Sequence, residues 1–326
     1  MGEKAKSIGE KLEGFGETLF EGFGWQEITR DLEIKCKKST HKNANGGSKQ
    51  THGVDLLHLV DDPYLGRTIG VITECKNRQW SGITLSTIQQ WLGELVNTIE
   101  CTKNSNEIKE LDICSANINT GILLINCNDG KFEKDKFYEY LSKLTISNKR
   151  DPINIYISGN DRIEQWHALR KKIEEYRFKY KQGSFKLVYP SIDNSKRSEE
   201  DYIVVTHLFS KYIFAVHNYY IEENSHNPGM PNMIARRRYV IFSFDKHTKE
   251  SFKYLCSMFK YFQFEEGQEY LFCFYPNSAD DIEYINNNFK KSLRNINGKE
   301  ILDENKINID FLENISINPV DYCKRG

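Results

Sequence analysis

The fold is decided by the segment Ile69-Gly70-Val71-Ile72-Thr73-Glu74-Cys75-Lys76, residues 69–76 of the chain. Its first five residues are mostly apolar and β-branched, which favours a buried β-strand. Side chains two residues apart in a strand point to the same face. Glu74 and Lys76 are therefore predicted to project together from the end of this strand, with Cys75 on the opposite side.

The strand is expected to pair with the one before it, at residues 54–60, because the turn-forming residues 61–63 separate two β-branched segments. Asp55 then lies on the neighbouring strand. Hard divalent cations such as Mg²⁺ bind oxygen ligands and usually keep several waters, so Asp55 and Glu74 are predicted to hold one between them. Lys76 would orient or polarise an attacking water, and the metal would stabilise charge on a phosphate, as phosphodiester hydrolysis requires.

A Glu-x-Lys triplet is weak evidence by itself. Three other such triplets occur in the chain, at residues 33–35, 107–109 and 304–306. The segment at 74–76 differs from them because it follows an apolar strand and a neighbouring aspartate. The alternative interpretation of Asp55, Glu74 and Lys76 is an ion pair at a solvated hairpin end.

The first helix is predicted over residues 7–25, where apolar residues recur at intervals of three and four, and Gly24 is expected to end it. At 100° per residue Glu13 lies at the margin of the apolar face, whereas the other glutamates of this helix lie farther towards water. Glu13 is therefore the candidate that faces the site, and the alternative is an ordinary acidic residue on a helix face.

A second helix, predicted over residues 85–100, has an apolar face that would pack on a sheet. Gln89 borders this face and Gln90 points nearly opposite to it. We therefore predict that Gln89, not Gln90, faces the site.

Taken in order, Glu13, residues 53–55, residues 74–77 and the glutamine-bearing helix resemble the PD-(D/E)XK nuclease superfamily. The nearest patterns are those of the Mrr-like and the archaeal Holliday-junction-resolvase-like branches. In those branches a helix carries a Glu about eleven residues before a Gly-aromatic pair, and Glu13 precedes Gly24-Trp25 by that interval. The resemblance covers roughly residues 7–160.

The resemblance implies an α/β fold of the restriction-endonuclease type, in which helices flank a mixed central sheet. It also implies Mg²⁺- or Mn²⁺-dependent cleavage of nucleic acid, most often double-stranded DNA, in restriction or anti-phage defence. Metal roles are carried over to Glu13, Asp55 and Glu74, and the role of the catalytic lysine to Lys76. Val54 stands where the family usually has proline.

The alternation of strands and helices continues through the second half of the 326 residues, so two domains are predicted. The nuclease-like domain is expected over residues 1–180. A smaller α/β or α+β domain at residues 181–326 would recognise the substrate or a partner protein. The polar segment 191–201 is interpreted as a linker near this boundary.

The formal net charge is only −1, from 45 basic and 46 acidic residues, so nucleic-acid binding requires a local basic patch. The densest run is Arg236, Arg237 and Arg238, beside a Pro/Gly-containing loop at residues 223–235. We predict that these arginines contact phosphates; the alternative is a solvated charged face.

Two other functions stay open at this point. One is a structure-specific or RNA-directed nuclease, which activity on junctions or single strands would reveal. The other is a catalytically silent nuclease fold that binds partners in a larger complex. A homodimer is also left open.

The composition predicts a globular protein without membrane spans and without a secretory signal, and hence a cytoplasmic one. The eight cysteines form no C-x-x-C pair and no Cys/His group with the spacing of a zinc site. They are expected to be reduced and structural.

Overall fold

The computed structural model describes residues 3–43, 46–111, 113, 117–146, 151–179, 183–190, 197–223, 232–258, 264, 269–293 and 302–314. These residues form two compact units, which meet in sequence at Glu164 and Gln165. Helix α5 (Asn160–Lys179) spans this point, and the predicted boundary at residue 180 lies at its far end. No helix in the described part of the chain is both long enough and apolar enough to cross a membrane.

The N-terminal unit is a mixed sheet flanked by helices, as predicted. Its elements before α5 are α1 (Glu3–Gly22), β1 (Gln26–Lys35), β2 (Thr51–Asp62), β3 (Arg67–Arg78), α2 (Leu85–Thr102), α3 (Asn106–Lys109), β4 (Asn117–Cys127), α4 (Lys134–Ser142) and β5 (Asn154–Ser158). The strand order is β1-β2-β3-β4-β5. Strands β1 to β3 pair antiparallel, which confirms the hairpin, and β3, β4 and β5 pair parallel.

Both predicted helices pack through the apolar faces that their periodicity indicated. In α1 the buried residues include Leu12, Phe15 and Leu19, and the helix ends where Gly24 adopts a φ of 83°, a left-handed conformation that suits glycine. Helix α2 lies on β4, where a Cβ on Gly121 would come within 2.7 Å of Ile99. A side chain at this position would force Ile99 and Leu95 of α2 to shift.

Strands β2 and β3 stop pairing part-way along their length. Their ladder runs from Asp62↔Arg67 to Leu56↔Thr73, whereas β3 goes on pairing with β4 as far as Arg78↔Cys127. We call the point beyond Leu56 and Thr73 the β2–β3 fork. Glu74 to Lys76 therefore lie inside β3 and not at its end, which corrects the sequence-based expectation, because β4 extends the ladder past the apolar segment.

The C-terminal unit contains a second mixed sheet with helices. Its elements after α5 are β6 (Ser184–Tyr189), β7 (Ser198–Glu200), α6 (Val205–Leu208), β8 (Tyr212–Glu223), β9 (Asn232–Ser243), α7 (Lys249–Met258), β10 (Glu269–Phe274), α8 (Ala279–Ser292) and β11 (Ile307–Phe311). The strand order is β11-β10-β9-β8-β6-β7. Residues 191–196 of the predicted linker and 224–231 of the predicted loop lie outside the described residues.

Candidate active site

Four of the predicted site residues converge at the β2–β3 fork. Glu74 and Lys76 form an ion pair on one face of β3, as their spacing of two residues predicted. Asp55 lies on β2 just beyond the last β2–β3 pair, and its Oδ2 accepts a hydrogen bond of 2.7 Å from the backbone N–H of Cys75. The carboxylate thus satisfies a backbone donor that the diverging strand leaves without a ladder partner.

Glu13 reaches the same site from α1. The pKa of Glu13 is raised to about 7, mainly by burial and then by the negative charges of Asp55 and Asp31. The charge of Asp55 thus acts on Glu13, although the two residues lie on different elements. The placement of Glu13 at the margin of the apolar face is consistent with this arrangement.

The pKa values of the other two carboxyl groups, Asp55 and Glu74, are also raised, so their ionisation is disfavoured. Burial and then the charge of Asp55 raise the pKa of Glu74 to about 7, although Lys76 opposes the shift. Burial is also the largest cause of the raised pKa of Asp55. Burial alone would lower the pKa of Lys76, but the carboxylates of Glu74 and Asp55 raise it above its usual value. Lys76 therefore stays an ammonium ion.

This donor set fits a hard divalent cation. Carboxylates from three different elements, α1, β2 and β3, act on one another electrostatically, and carboxylate oxygens are the ligands that Mg²⁺ and Mn²⁺ prefer. When the three carboxylates are ionised, they carry more negative charge than the single ammonium of Lys76 balances. Glu13, Asp55 and Glu74 are the residues that would hold such an ion.

Two acidic residues near this site were missed by the sequence reading. Asp31 on β1 acts electrostatically on Glu13 and Asp55, and its φ of 52° is a left-handed conformation in the middle of a strand. Strained backbone of this kind concentrates at functional sites. Glu94 on α2 acts electrostatically on Glu74 and Lys76. Sequence spacing alone gives neither the backbone φ angle of Asp31 nor the side of α2 that faces the fork. Asp31 and Glu94 were therefore not identified from the sequence.

Gln89 is not brought to the carboxylates. Its side-chain amide donates to the carbonyl of Thr145 at 2.8 Å and accepts from the N–H of Thr145 at 3.0 Å. Gln90 instead donates to Glu94 at 3.0 Å. The helical wheel located the buried face of α2 correctly, but the side of that face nearest the fork depends on how α2 crosses the sheet.

The three arginines of the predicted phosphate-binding run do not share one surface, because they alternate along β9. Arg237 forms an ion pair of 2.6 Å with Glu199. The guanidinium of Arg238 lies 4.9 Å from the ring centre of Tyr219 and within 3.1 Å of His217. Arg236 is exposed. Strand alternation thus separates Arg237 from Arg236 and Arg238, and these two differ in exposure, Arg236 being exposed and Arg238 half-buried.

A comparison with protein-family models matches residues 1–162 to the PD-(D/E)XK nuclease domain of the GAPS4 protein. Residues 1–162 belong to the PD-(D/E)XK nuclease superfamily. The match covers the whole five-stranded sheet and every residue at the β2–β3 fork. A comparison with curated proteins found no match.

Membership of the PD-(D/E)XK superfamily confirms the resemblance and the restriction-endonuclease-like fold class. The order α1, β1, β2, β3, α2, β4 is the order of helix, strand, hairpin, helix and strand that the resemblance implied. The match is to a GAPS4 domain, so it does not single out the Mrr-like or resolvase-like branch. The chain carries a nuclease domain.

Proposed function

We propose that the chain is a metal-dependent endonuclease that hydrolyses phosphodiester bonds, with double-stranded DNA as its substrate. The observation that carries the proposal is the convergence of Asp55, Glu74 and Lys76 at the β2–β3 fork, with Glu13 beside them. These are the residue types, in the order, that the superfamily uses. A degenerate fold would have no reason to keep three carboxylates, one buried and two half-buried, in mutual repulsion.

The residues at the fork have distinct roles in this proposal. Glu13, Asp55 and Glu74 would hold Mg²⁺ or Mn²⁺, which would neutralise charge on the scissile phosphate and lower the pKa of a bound water. Glu74 positions the ammonium of Lys76 through their ion pair. Lys76 then donates hydrogen bonds to the attacking water or to a phosphate oxygen.

The rest of the chain supplies recognition in this proposal. Residues 181–326 bind the nucleic acid or a protein partner, and Arg236, as the exposed member of its run, is the arginine offered to phosphate. We extend the proposal to a cytoplasmic role in restriction or anti-phage defence, the setting that the superfamily resemblance implies. DNA is favoured over RNA on the same ground.

The deciding experiment incubates the purified full chain with plasmid, linear duplex, single-stranded DNA, branched DNA and RNA, with and without Mg²⁺ or Mn²⁺. We expect metal-dependent cleavage of plasmid and linear duplex DNA, lost in Asp55→Asn and kept in Asp61→Asn. Asp61 is the matched control because it lies on the same strand with its side chain exposed.

Other outcomes would replace the proposal. Cleavage confined to branched, single-stranded or RNA substrates would favour the structure-specific or RNA-directed nuclease. Binding of nucleic acid without cleavage under any of these conditions would favour the silent binding subunit. Equal cleavage by the wild type and Asp55→Asn would show that the activity does not come from this site.

A further inference from the structure

A second group of potential ligands lies in the N-terminal unit and shares no residue with the β2–β3 fork. It consists of Cys36, His41, His52 and Cys101, which we call the Cys–His cluster. Each residue offers one ligand atom, and the four atoms all lie within 4.8 Å of one another. No ligand spacing in the sequence indicated it, because the four residues are spread over more than sixty positions of the chain.

Three elements bring the cluster together. Cys36 directly follows β1, and its N–H donates to the carbonyl of Gln50 at 2.8 Å, so the β1–β2 pairing is extended to it. The loop then folds back on itself: the N–H of Lys49 donates to the carbonyl of His41 at 3.0 Å. His52 lies on β2, and Cys101 lies in the last turn of α2. The cluster therefore joins the β1–β2 loop to the C-terminal end of α2.

Four of the six separations between the ligand atoms match the edges of a tetrahedron around zinc, and the other two, from His52 to the two Sγ atoms, are within 4.8 Å. The two Sγ atoms are 3.9 Å apart, His41 Nδ1 is 3.5 Å from each Sγ, and His41 Nδ1 is 3.3 Å from His52 Nε2. With Zn–S bonds of about 2.3 Å and Zn–N bonds of about 2.05 Å, tetrahedral coordination requires about 3.8 Å for S–S, about 3.6 Å for N–S and about 3.3 Å for N–N. Each measured edge agrees with the required one to within about 0.1 Å.

Hydrogen bonding alone does not account for this packing. His41 Nδ1 lies within 3.5 Å of Cys36 Sγ, Cys101 Sγ and His52 Nε2. An imidazole nitrogen has either one hydrogen or one lone pair, so it can satisfy one of these three neighbours and not all of them. A disulfide is also excluded as the link, because 3.9 Å between the Sγ atoms is far longer than a bond of about 2.05 Å. One cation at the centre would satisfy all four donors.

The surroundings of the cluster are those of a closed structural site. His41, His52 and Cys101 are only 4%, 1% and 1% exposed, and Cys36 is half-buried. The Nε2 of His41 lies 3.3 Å from the carboxylate of Glu100, which in turn binds Lys38 at 2.7 Å. A carboxylate on the far nitrogen of a ligating histidine fixes the tautomer that directs Nδ1 at the metal.

The types of ligand in the Cys–His cluster indicate which metal it would bind. Two thiolates and two imidazoles suit Zn²⁺, whereas Mg²⁺ and Mn²⁺ prefer the carboxylate oxygens at the fork. Four protein ligands leave no coordination position for substrate, so the ion would serve the structure and not the chemistry. We propose that Cys36, His41, His52 and Cys101 bind one Zn²⁺ that fastens the β1–β2 loop to α2.

The zinc would also brace two elements of the nuclease site. His52 and Asp55 are three residues apart on β2, and Glu94 and Cys101 lie two turns apart on α2. Fixing β2 to α2 at the cluster therefore restricts how Asp55 and Glu94 can move relative to each other. The site at the fork would keep its own ligands and its own metal.

The test is the zinc content of the untagged full chain, purified without chelators and measured by inductively coupled plasma mass spectrometry against protein concentration. We expect one zinc per chain in the wild type, and loss of zinc in Cys36→Ser and in His52→Asn. Cys127→Ser is the matched control, because Cys127 is a buried thiol of the same unit outside the cluster, and it should keep its zinc. Asp55→Asn should also keep it, which separates this site from the fork.

A second measurement does not depend on whether the variants fold. The wild type, with its zinc exchanged for Co²⁺, should show the intense visible absorption of a tetrahedral ion and the near-ultraviolet charge-transfer band of cobalt thiolates. Zinc well below one per chain that added zinc does not restore would overturn the proposal. So would a Co²⁺ spectrum without these bands, or a Cys36–Cys101 disulfide found by peptide mass spectrometry in the native protein.

Discussion

The carboxylate of Asp55 accepts a 2.7 Å hydrogen bond from the backbone N–H of Cys75, across the point where β2 and β3 cease to pair. Asp55 therefore has one structural task, as the partner of a backbone donor, beside the proposed task of a charged ligand at the site. The two can be separated, because asparagine keeps a side-chain oxygen that accepts hydrogen bonds but lacks the charge.

We expect Asp55→Asn to lose metal-dependent cleavage while its melting temperature stays close to that of the wild type. Asp55→Ala should lose cleavage and also about 1–3 kcal/mol of stability, because the N–H of Cys75 then has no acceptor. Cleavage assays and chemical denaturation of the two variants check this. Equal stability of both variants would contradict the structural task, and cleavage by either would contradict the catalytic one.

Lys76 gives a second prediction, since in the proposed function its ammonium acts on water and phosphate and is not a metal ligand. Replacing it with methionine should lower the cleavage rate by about 10²–10³-fold, the usual cost of removing one preorganised electrostatic group. Calorimetric titration with Mn²⁺ should still show binding at the fork. Metal affinity that disappears together with activity would show that the proposed division between Lys76 and the carboxylates is wrong.

The pH dependence of metal binding at the fork follows from the raised pKa values of Glu13 and Glu74, both about 7. Each group must lose its proton before it can bind a cation, so the affinity of the fork for Mg²⁺ or Mn²⁺ should increase as the pH rises through about 7. Titrations of the wild type at pH 6 and pH 8 measure this. Glu74→Gln removes one of the two groups and should weaken the dependence.

When Mg²⁺ is absent, the free energy of unfolding should decrease as the pH rises, which is opposite to the change in metal affinity. The pKa of each glutamate is raised on folding from 4.5 to about 7, so the folded chain binds these protons more tightly than the unfolded chain. Their contribution to the free energy of unfolding is then largest at low pH and falls as the pH rises from 4.5 to about 7. In chelator-free buffer, Glu74→Gln should therefore melt above the wild type at pH 8, and saturating Mg²⁺ should reduce that difference.

The arginines of β9 give a prediction about the C-terminal unit. Arg236→Ala should weaken nucleic-acid binding and lower the slope of its salt dependence by up to about 0.9, the value for one duplex-phosphate contact. Its stability should be unaffected, because Arg236 is exposed.

Arg238→Ala serves as the comparison, because Arg238 stacks between aromatic rings and should lose about 0.5–2 kcal/mol of stability. Binding isotherms at several salt concentrations and melting curves distinguish the two residues. A salt slope in Arg236→Ala equal to that of the wild type would favour a protein partner for this unit.

Features that depend on a local period could be predicted from the sequence. The hairpin, the buried face of α2 and the shared orientation of Glu74 and Lys76 all follow from periods of 2.0 and 3.6 residues. Whether Gln89 faces the site depends on the direction in which α2 crosses the sheet, and a sequence period does not encode that direction. The same is true of the extension of β3, which required the pairing with β4.

The Cys–His cluster illustrates the limit most clearly. Zinc sites are recognised in sequence when their ligands come in close pairs, and here even the closest two, Cys36 and His41, are five positions apart. Only the folding of α2 over the sheet brings Cys101 to them. The three arginines show the reverse case, in which neighbours in sequence are separated by the alternation of a strand.

The division of the N-terminal sheet into an antiparallel and a parallel half has a consequence for the order of folding. Strands β1, β2 and β3 are contiguous in the chain, whereas β4 joins β3 only after α2 has been made. Contacts between nearby residues form faster than those that close long loops. We expect pulse-labelled hydrogen exchange to show protection of β2 and the first half of β3 before β4. The ion pair of Glu74 and Lys76 would then form while it is still exposed to water, and it would be buried only when β4 pairs with β3. A nascent chain would therefore gain the proposed cleavage activity only after residue 127 has been synthesised.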